Sequence, residues 1–402
     1  SPRLSLSGAY DENVFRLDPD DTGAEDGLIS SPVLGIEPGL SIATIDPTSV
    51  DFTLDGSARW DQYLTTEERA QQQSGLQGAG DFNLTLNPRG AVSFGLLENI
   101  VYTNEAPPYA SERSFNRLVN RAGGEFGIHP GDQILDITLG YKYSLYRHYT
   151  STLVDLDKDS HDFDLDITWK FLPKTALVID GDASVIQYQE PFRGFQGGEI
   201  PNVDSTPIHA RGGLSGLISR RISARLLAGY AVGLYQENPT YSGPVGHADF
   251  AFNFGPLNLD NELSLGYERS FEDSAIGNFF SYHQVNLDLR QNFADKRFGY
   301  SLGGEFTRRD YATIQANEQN GIKVVQNQSG QTVFLPDDLH DNYLTAKVGL
   351  HTNMLKWWRA SLEYMFEANI TDDVTNVPAA ANAEYLRRFQ RHLVTLTTTI
   401  HY

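Results

Sequence analysis

The side chains able to do chemistry are mostly carboxylates, and they alternate along the chain. Asp162, Asp164 and Asp166 are spaced by two, and Asp180 and Asp182 repeat the spacing in the next stretch. Residues two apart on an extended chain share a face, so the five form an acidic ladder. Like charges this close repel unless water, cations or bases intervene. On the wall of an aqueous channel they would tune the passage of ions or glycans; on any other polar surface they would simply be solvated. Arg211, Arg225, Arg387 and Arg391 fall on the same kind of position and would balance the ladder or act across its field. Tyr146, Tyr235, Tyr282, Tyr343 and Trp357 also read as facing the polar side. Sugars combine apolar CH patches with hydroxyls, so a track of such rings would suit a passing glycan. Near strand ends the same residue types serve as an interfacial girdle.

Catalytic constellations are missing. The chain has no Cys, which excludes thiol chemistry, disulfides and Cys-ligated metals. Neither G-x-S-x-G nor H-E-x-x-H occurs, and no His is placed beside a Ser/Asp pair on one readable face. Asp155-Leu156-Asp157-Lys158-Asp159 opens like a calcium loop, but Ser160 stands where Gly is needed and Asp166 where Glu is needed. Asp18 to Asp26 reads as a solvated acidic loop, with divalent ions bridging it to lipopolysaccharide as an alternative. No enzyme activity, metal or cofactor is expected. A formal net charge of −21 argues against nucleic acid as a partner.

The elements that would position these residues are strands. In Leu135–Leu145 the odd residues are apolar or aromatic, and Asp136, Thr138, Gly140, Lys142 and Ser144 alternate with them. Phe163, Leu165, Ile167, Trp169 and Phe171 alternate with Asp162, Asp164, Asp166, Thr168 and Lys170. The same period of two recurs in 51–61, 222–234 and 258–267, over runs longer than ordinary globular strands. One face is apolar and ends in aromatics, while the other carries several ionisable groups per strand. That pattern fits a transmembrane β-barrel with a polar lumen better than a soluble sandwich. The mean hydropathy of −0.37 does not oppose this, because the lumen face dilutes the average. No stretch is long and apolar enough for a transmembrane helix.

Eighteen strands are expected, starting near residues 3, 34, 50, 75, 91, 116, 133, 162, 175, 206, 221, 246, 257, 279, 297, 341, 357 and 386. Tight connections rich in Pro, Gly, Asn and Asp, such as Asn87-Pro88-Arg89-Gly90 and Leu172-Pro173-Lys174, alternate with long polar ones. This asymmetry implies an all-β, up-and-down antiparallel barrel forming one domain over 1–402, with short periplasmic turns and long extracellular loops. The longest loop, 311–340, carries a hairpin signal around Asn327-Gln328-Ser329-Gly330. An even strand count places both termini in the periplasm and lets the first and last strands pair. Ser1 in place of Met is compatible with a removed secretory signal. The last strand ends on Tyr402, with Val394, Leu396 and Ile400 on the same face, and resembles the assembly signal read by the outer-membrane insertion machinery.

Three segments carry a further resemblance. Leu4–Phe15 (LSLSGAYDENVF), Leu34–Leu40 (LGIEPGL) and Tyr385–His392 (YLRRFQRH) resemble a β-barrel porin family encoded in exopolysaccharide export clusters. The resemblance implies an outer-membrane pore for a secreted polysaccharide, without chemistry of its own. A monomer surrounded by lipid and lipopolysaccharide is expected, and with no nucleotide-binding motif in the chain the energy for export would come from an inner-membrane synthase or a periplasmic partner. Two other functions remain open: a diffusion porin for ions and small solutes, expected to have a long loop folded into the lumen to constrict it and often to be a trimer with a flat apolar outer face, and a structural barrel anchoring an envelope or surface complex.

Overall fold

The fold comes from a computed structural model. It describes residues 1–16, 28–104, 116–149, 157–189, 192–193, 199–200, 204–236, 240–256, 259–273, 279–311, 324–326, 332–334, 340–370 and 388–402. The acidic loop around Asp18–Asp26, Asp155 and Arg387 lie outside them. Eighteen long strands make one sheet: β1 (Pro2–Asp11), β2 (Ser31–Ala43), β3 (Val50–Tyr63), β4 (Gly75–Leu86), β5 (Val92–Thr103) and β6 (Arg117–Ile128). They continue as β7 (Leu135–His148), β8 (Lys158–Leu172), β9 (Thr175–Tyr188), β10 (Ser205–Leu217), β11 (Ile222–Tyr235) and β12 (Tyr241–Phe254). The last six are β13 (Asn261–Asp273), β14 (Phe279–Phe293), β15 (Phe298–Tyr311), β16 (His340–Leu355), β17 (Trp358–Ile370) and β18 (Phe389–His401). Each pairs antiparallel with its sequence neighbours, and β1 pairs with β18 from Arg3↔His401 to Asp11↔Leu393. The sheet is therefore a closed barrel. At a spacing of about 4.8 Å and a tilt of about 40°, eighteen strands make a ring about 35 Å across.

The strands form because alternation gives each a surface for two different media. The outer rows expose large apolar side chains: Phe94, Leu96, Leu396, Leu350 and Leu214 are each about half exposed or more. The inner rows carry the acids, bases, amides and hydroxyls. One end of the barrel has connections of two to six residues; the other end bears all the longer ones, together with two of only five residues, 236–240 and 274–278, where the sequence predicts long loops. Positive φ at Asn87, Gly255, Asp260 and Ala294 to Lys296 turns the chain sharply at the short end. Two small ladders lie within long connections, Phe192–Arg193 with Glu199–Ile200 and Val324–Gln326 with Thr332–Phe334.

Pro38, Pro207 and Pro244 sit in strand interiors, where each would remove a ladder donor. Each falls where the ladder is already broken. Pro38 lies between Ile36↔Trp60 and Gly39↔Ser57, and Pro207 between Ser205↔Ile186 and Ile208↔Ala183. Pro244 lies above Gly246↔Arg269, where β12 no longer pairs with β13. This last break moves the start of β12 to Tyr241 rather than the expected Gly246, because Gly243 and Pro244 look like loop in sequence. The next strand starts at Asn261 rather than near Leu257, after Asp260 at φ 52°.

The closing seam carries more than backbone bonds. Arg391 on β18 grips Asp11 on β1 with two nitrogens, Nε at 3.0 Å and Nη2 at 2.5 Å. Its Nη1 donates to Glu367 on β17 at 3.0 Å, and Arg16 reaches the same carboxylate at 3.2 Å. Tyr343 donates its hydroxyl to the other Glu367 oxygen at 3.2 Å. Asp11 and Glu367 are almost wholly buried, so removing the shared cation leaves Asp11 with no ion pair among the described residues and Glu367 with Arg16 alone. Arg391→Met should destabilise the barrel by about 3 kcal/mol or more. Urea titration in lipid vesicles, followed by tryptophan fluorescence, measures this; an unchanged midpoint would show that the seam does not depend on the ion pair.

Candidate functional site

The acidic ladder lines the inner wall, and bases or hydroxyls hold its members other than Asp166, so it is not a free stripe. Asp162 accepts from the Ser144 and Ser160 hydroxyls at 2.7 and 2.6 Å. Asp164 meets Lys142 at 2.9 Å. Arg211 holds Asp180 through Nε at 2.8 Å and through Nη2 at 2.6 Å, with Asp182 at 3.4 Å and Glu268 at 3.8 Å. His209 Nδ1 lies 2.7 Å from Asp182, Arg225 lies 3.8 Å from Asp180, and His247 binds Asp249. Asp166 differs. It stands directly across from Asp180 and two residues from Asp164, is exposed to the lumen, and has no ion pair among the described residues. No group of three or more acids and histidines is arranged to hold a metal ion among the described residues.

The aromatic candidates have separate fates. Tyr146 lies under two cations, with Arg121 5.7 Å and Lys158 5.3 Å from its ring. Tyr343 packs near Arg309 and Phe389. Tyr235 and Tyr282 are on inner rows near the long-loop end. Trp357 is a correction: it sits in the two-residue turn between β16 and β17, half exposed and stacked beside Trp358, not on the lumen wall. A tight turn needs two residues outside the ladder, and Lys356-Trp357 supplies them.

The residues that shape the mouth were not legible in advance. On β13 and β14 the odd positions face outward lower down, where Tyr267, Val285 and Leu287 are exposed. Above Arg269 the same face turns onto protein. Phe271 stacks on Tyr241 with ring centroids 4.1 Å apart, and Phe279 lies 5.6 Å from Tyr235. Asp273 accepts the Tyr235 hydroxyl at 2.9 Å and the Ser205 hydroxyl at 2.5 Å. His209 lies 4.8 Å from the Phe271 ring. Tyr235, Tyr241, Ser205 and His209 are all on the inner faces of β10 to β12. The outer face of the β13–β14 hairpin therefore packs on the inner wall of its neighbours, and the hairpin crosses into the mouth. Its own inner face then meets Arg309, which lies 5.3 Å from Phe280 and 5.5 Å from Tyr343, with Asp341 at 3.7 Å. The only sequence sign is that Phe271 and Phe279 flank the connection between the two strands.

An acid breaks the outer band. Glu98 is exposed on the outer face of β5, four residues from Phe94 on one side and from Tyr102 on the other. Those rings are about 20 Å apart along the barrel axis, so Glu98 is near the middle of the apolar belt. Its one hydrogen-bond partner among the described residues is Asn120 on β6, at 3.1 Å.

An apolar belt, aromatic borders and a polar inner wall in a closed sheet define a membrane-spanning β-barrel. No family model matches the chain and no curated protein matches it. Solved structures do align with it. OccK2 (OpdF) of Pseudomonas aeruginosa aligns over 99% of this chain and 97% of its own, with TM-score 0.48 and 11% identity. The apoprotein form of the FrpB iron transporter from Neisseria meningitidis aligns over 98% of this chain, with TM-score 0.53 and 8% identity; this chain spans 66% of that one. At these identities the likeness is one of fold, a closed antiparallel barrel.

Two outcomes follow. Asp166→Asn should lower the preference of the pore for cations, read as a shift of the reversal potential toward zero in a salt gradient; no shift would mean that Asp166 does not face the ion path. Replacing Glu98 and Asn120 together by Leu should stabilise the barrel in vesicles by about 1–2 kcal/mol, and a loss of stability would show that this pair meets something other than lipid.

Proposed function

We propose that the chain is an outer-membrane channel for small hydrophilic solutes, with its long-loop end outside the cell and both termini in the periplasm. The observation that carries this reading is the β13–β14 hairpin folded onto the inner wall. It narrows the mouth from within while the closed wall below remains lined with polar groups. Eighteen strands are enough to leave a water-filled interior, and the cross-strand ion pairs keep that wall wet. Barrels of similar fold include an iron transporter, which agrees with a role in passage across a membrane.

Export of a long polysaccharide fits this arrangement less well. A glycan track needs free ring faces. Tyr146 is covered by Arg121 and Lys158, Tyr235 lies against Phe279, and Trp357 is in a turn. The outward row Val394, Leu396, Ile400 and Tyr402 on the last strand is what the insertion machinery would read during assembly.

Single-channel recording in planar bilayers, paired with liposome swelling, tests the proposal. The expected result is steady conductance with permeation by monosaccharides and amino acids and exclusion of dextrans. Phe271→Ala combined with Phe279→Ala should release the hairpin and raise the conductance. A wild-type channel that passes long polymers, or a double variant with unchanged conductance, would overturn the reading.

A further inference from the structure

Three Tyr–His pairs mark one height on the outside of the barrel. The Tyr141, Tyr267 and Tyr364 hydroxyls bond Nδ1 of His161, His283 and His392 at 2.9, 2.8 and 2.7 Å. In each, the His lies on the following strand, one outer-face position nearer the long-loop end than the Tyr. His283 is ten residues from Phe293 at the short-turn end of β14, about 25 Å along the axis at the usual tilt, the height of a barrel's apolar band. The histidine row therefore lies where hydrocarbon gives way to headgroups on the long-loop side.

The surroundings of His283 differ from those of the other two. His161 is opposite Tyr143; His392 is opposite Phe366 and has Glu12 at 3.8 Å. His283 is opposite Arg269 on β13 and Arg308 on β15, all three at outer-face positions. The row spans about 10 Å. Arg308 contacts Asp310 at 3.2 Å; Arg269 has no ion pair among the described residues. Arg269 and Arg308 stand about 10 Å apart on either side of His283, and like charges at that distance repel more beside hydrocarbon, where water is scarce. A polyvalent anion relieves this. The Tyr267 bond fixes the imidazole so that Nε2 stays available, and guanidinium forks match phosphate oxygens. Directly below the row lies an exposed apolar strip of Val285, Leu287, Leu302 and Phe306, broad enough for acyl chains.

We propose that Arg269, His283 and Arg308 form a binding site for the phosphorylated headgroup of an outer-leaflet glycolipid, whose acyl chains lie on the strip beneath. The choice of leaflet rests on the orientation given above. Native mass spectrometry of the detergent-solubilised barrel tests the site with diphosphoryl lipid A, phosphatidylglycerol and inorganic phosphate as separate additions. The wild type should bind diphosphoryl lipid A most tightly. Arg269→Gln with Arg308→Gln should weaken binding about tenfold or more, while the lumen variant Arg225→Gln should not. Should the double variant fail to fold by heat-dependent gel mobility, Tyr267→Phe with His283→Gln provides the same reading with the arginines intact. Equal binding by wild type and variants, or equal binding of phosphatidylglycerol or free phosphate, would overturn the site. Orientation is read separately. The chain lacks Cys, so Tyr149→Cys and Ile45→Cys can each be labelled in whole cells with an impermeant maleimide. Labelling of Tyr149→Cys alone supports the orientation. Labelling of Ile45→Cys would overturn the orientation, and with it the assignment to the outer leaflet, even if the row binds the lipid in detergent.

Discussion

In hydrocarbon every backbone N–H and C=O must find its partner within the protein. The rest of this structure depends on that constraint. A sheet of eighteen strands meets it only by returning to its own first edge, and β1 meets β18 along nine residue pairs. Closure creates the inner wall, and the inner wall permits chemistry that could not survive outside. The Arg391–Asp11 grip lies at the join, on the lumen side, where an ion pair costs least. Prolines inside strands obey the same rule, since each occupies a place where no ladder partner is waiting for an N–H.

Closure also divides side chains between two media, and the exceptions are informative. On the inner face, bases and hydroxyls from neighbouring positions hold most of the acidic ladder of β8 and β9, and Asp166 is left over. On the outer face, Glu98 is an acid in the middle rows of the apolar belt. The β13–β14 hairpin shows a third case. Its outer face begins against lipid and ends against protein, and the change comes at Arg269, where pairing with β12 stops.

The strand number, the polar and apolar faces and the difference between the two ends were legible in sequence because each is local. A period of two needs only neighbouring residues, and Asn87-Pro88-Arg89-Gly90 states its turn within four. The partners were not legible. Arg391 and Asp11 are separated by 380 positions, and nothing near either names the other. The inward hairpin was hidden for a different reason: Phe271 and Phe279 keep the alternation of a lipid-facing strand, so the pattern reads the same whether that face meets a membrane or Tyr241. Trp357 kept the parity of a lumen residue while the chain around it had already turned.

The seam between β1 and β18 also sets an order of events. The strand made first must wait for the strand made last, because no other segment can cover its free edge. Contacts of such long sequence separation form slowly. Until the final residues arrive, an open sheet exposes two unpaired margins, each able to join a neighbouring chain. Quick and faithful biogenesis of such a ring therefore calls for an escort that shields those margins, and a chain shortened at its carboxyl end would remain an unfinished ribbon.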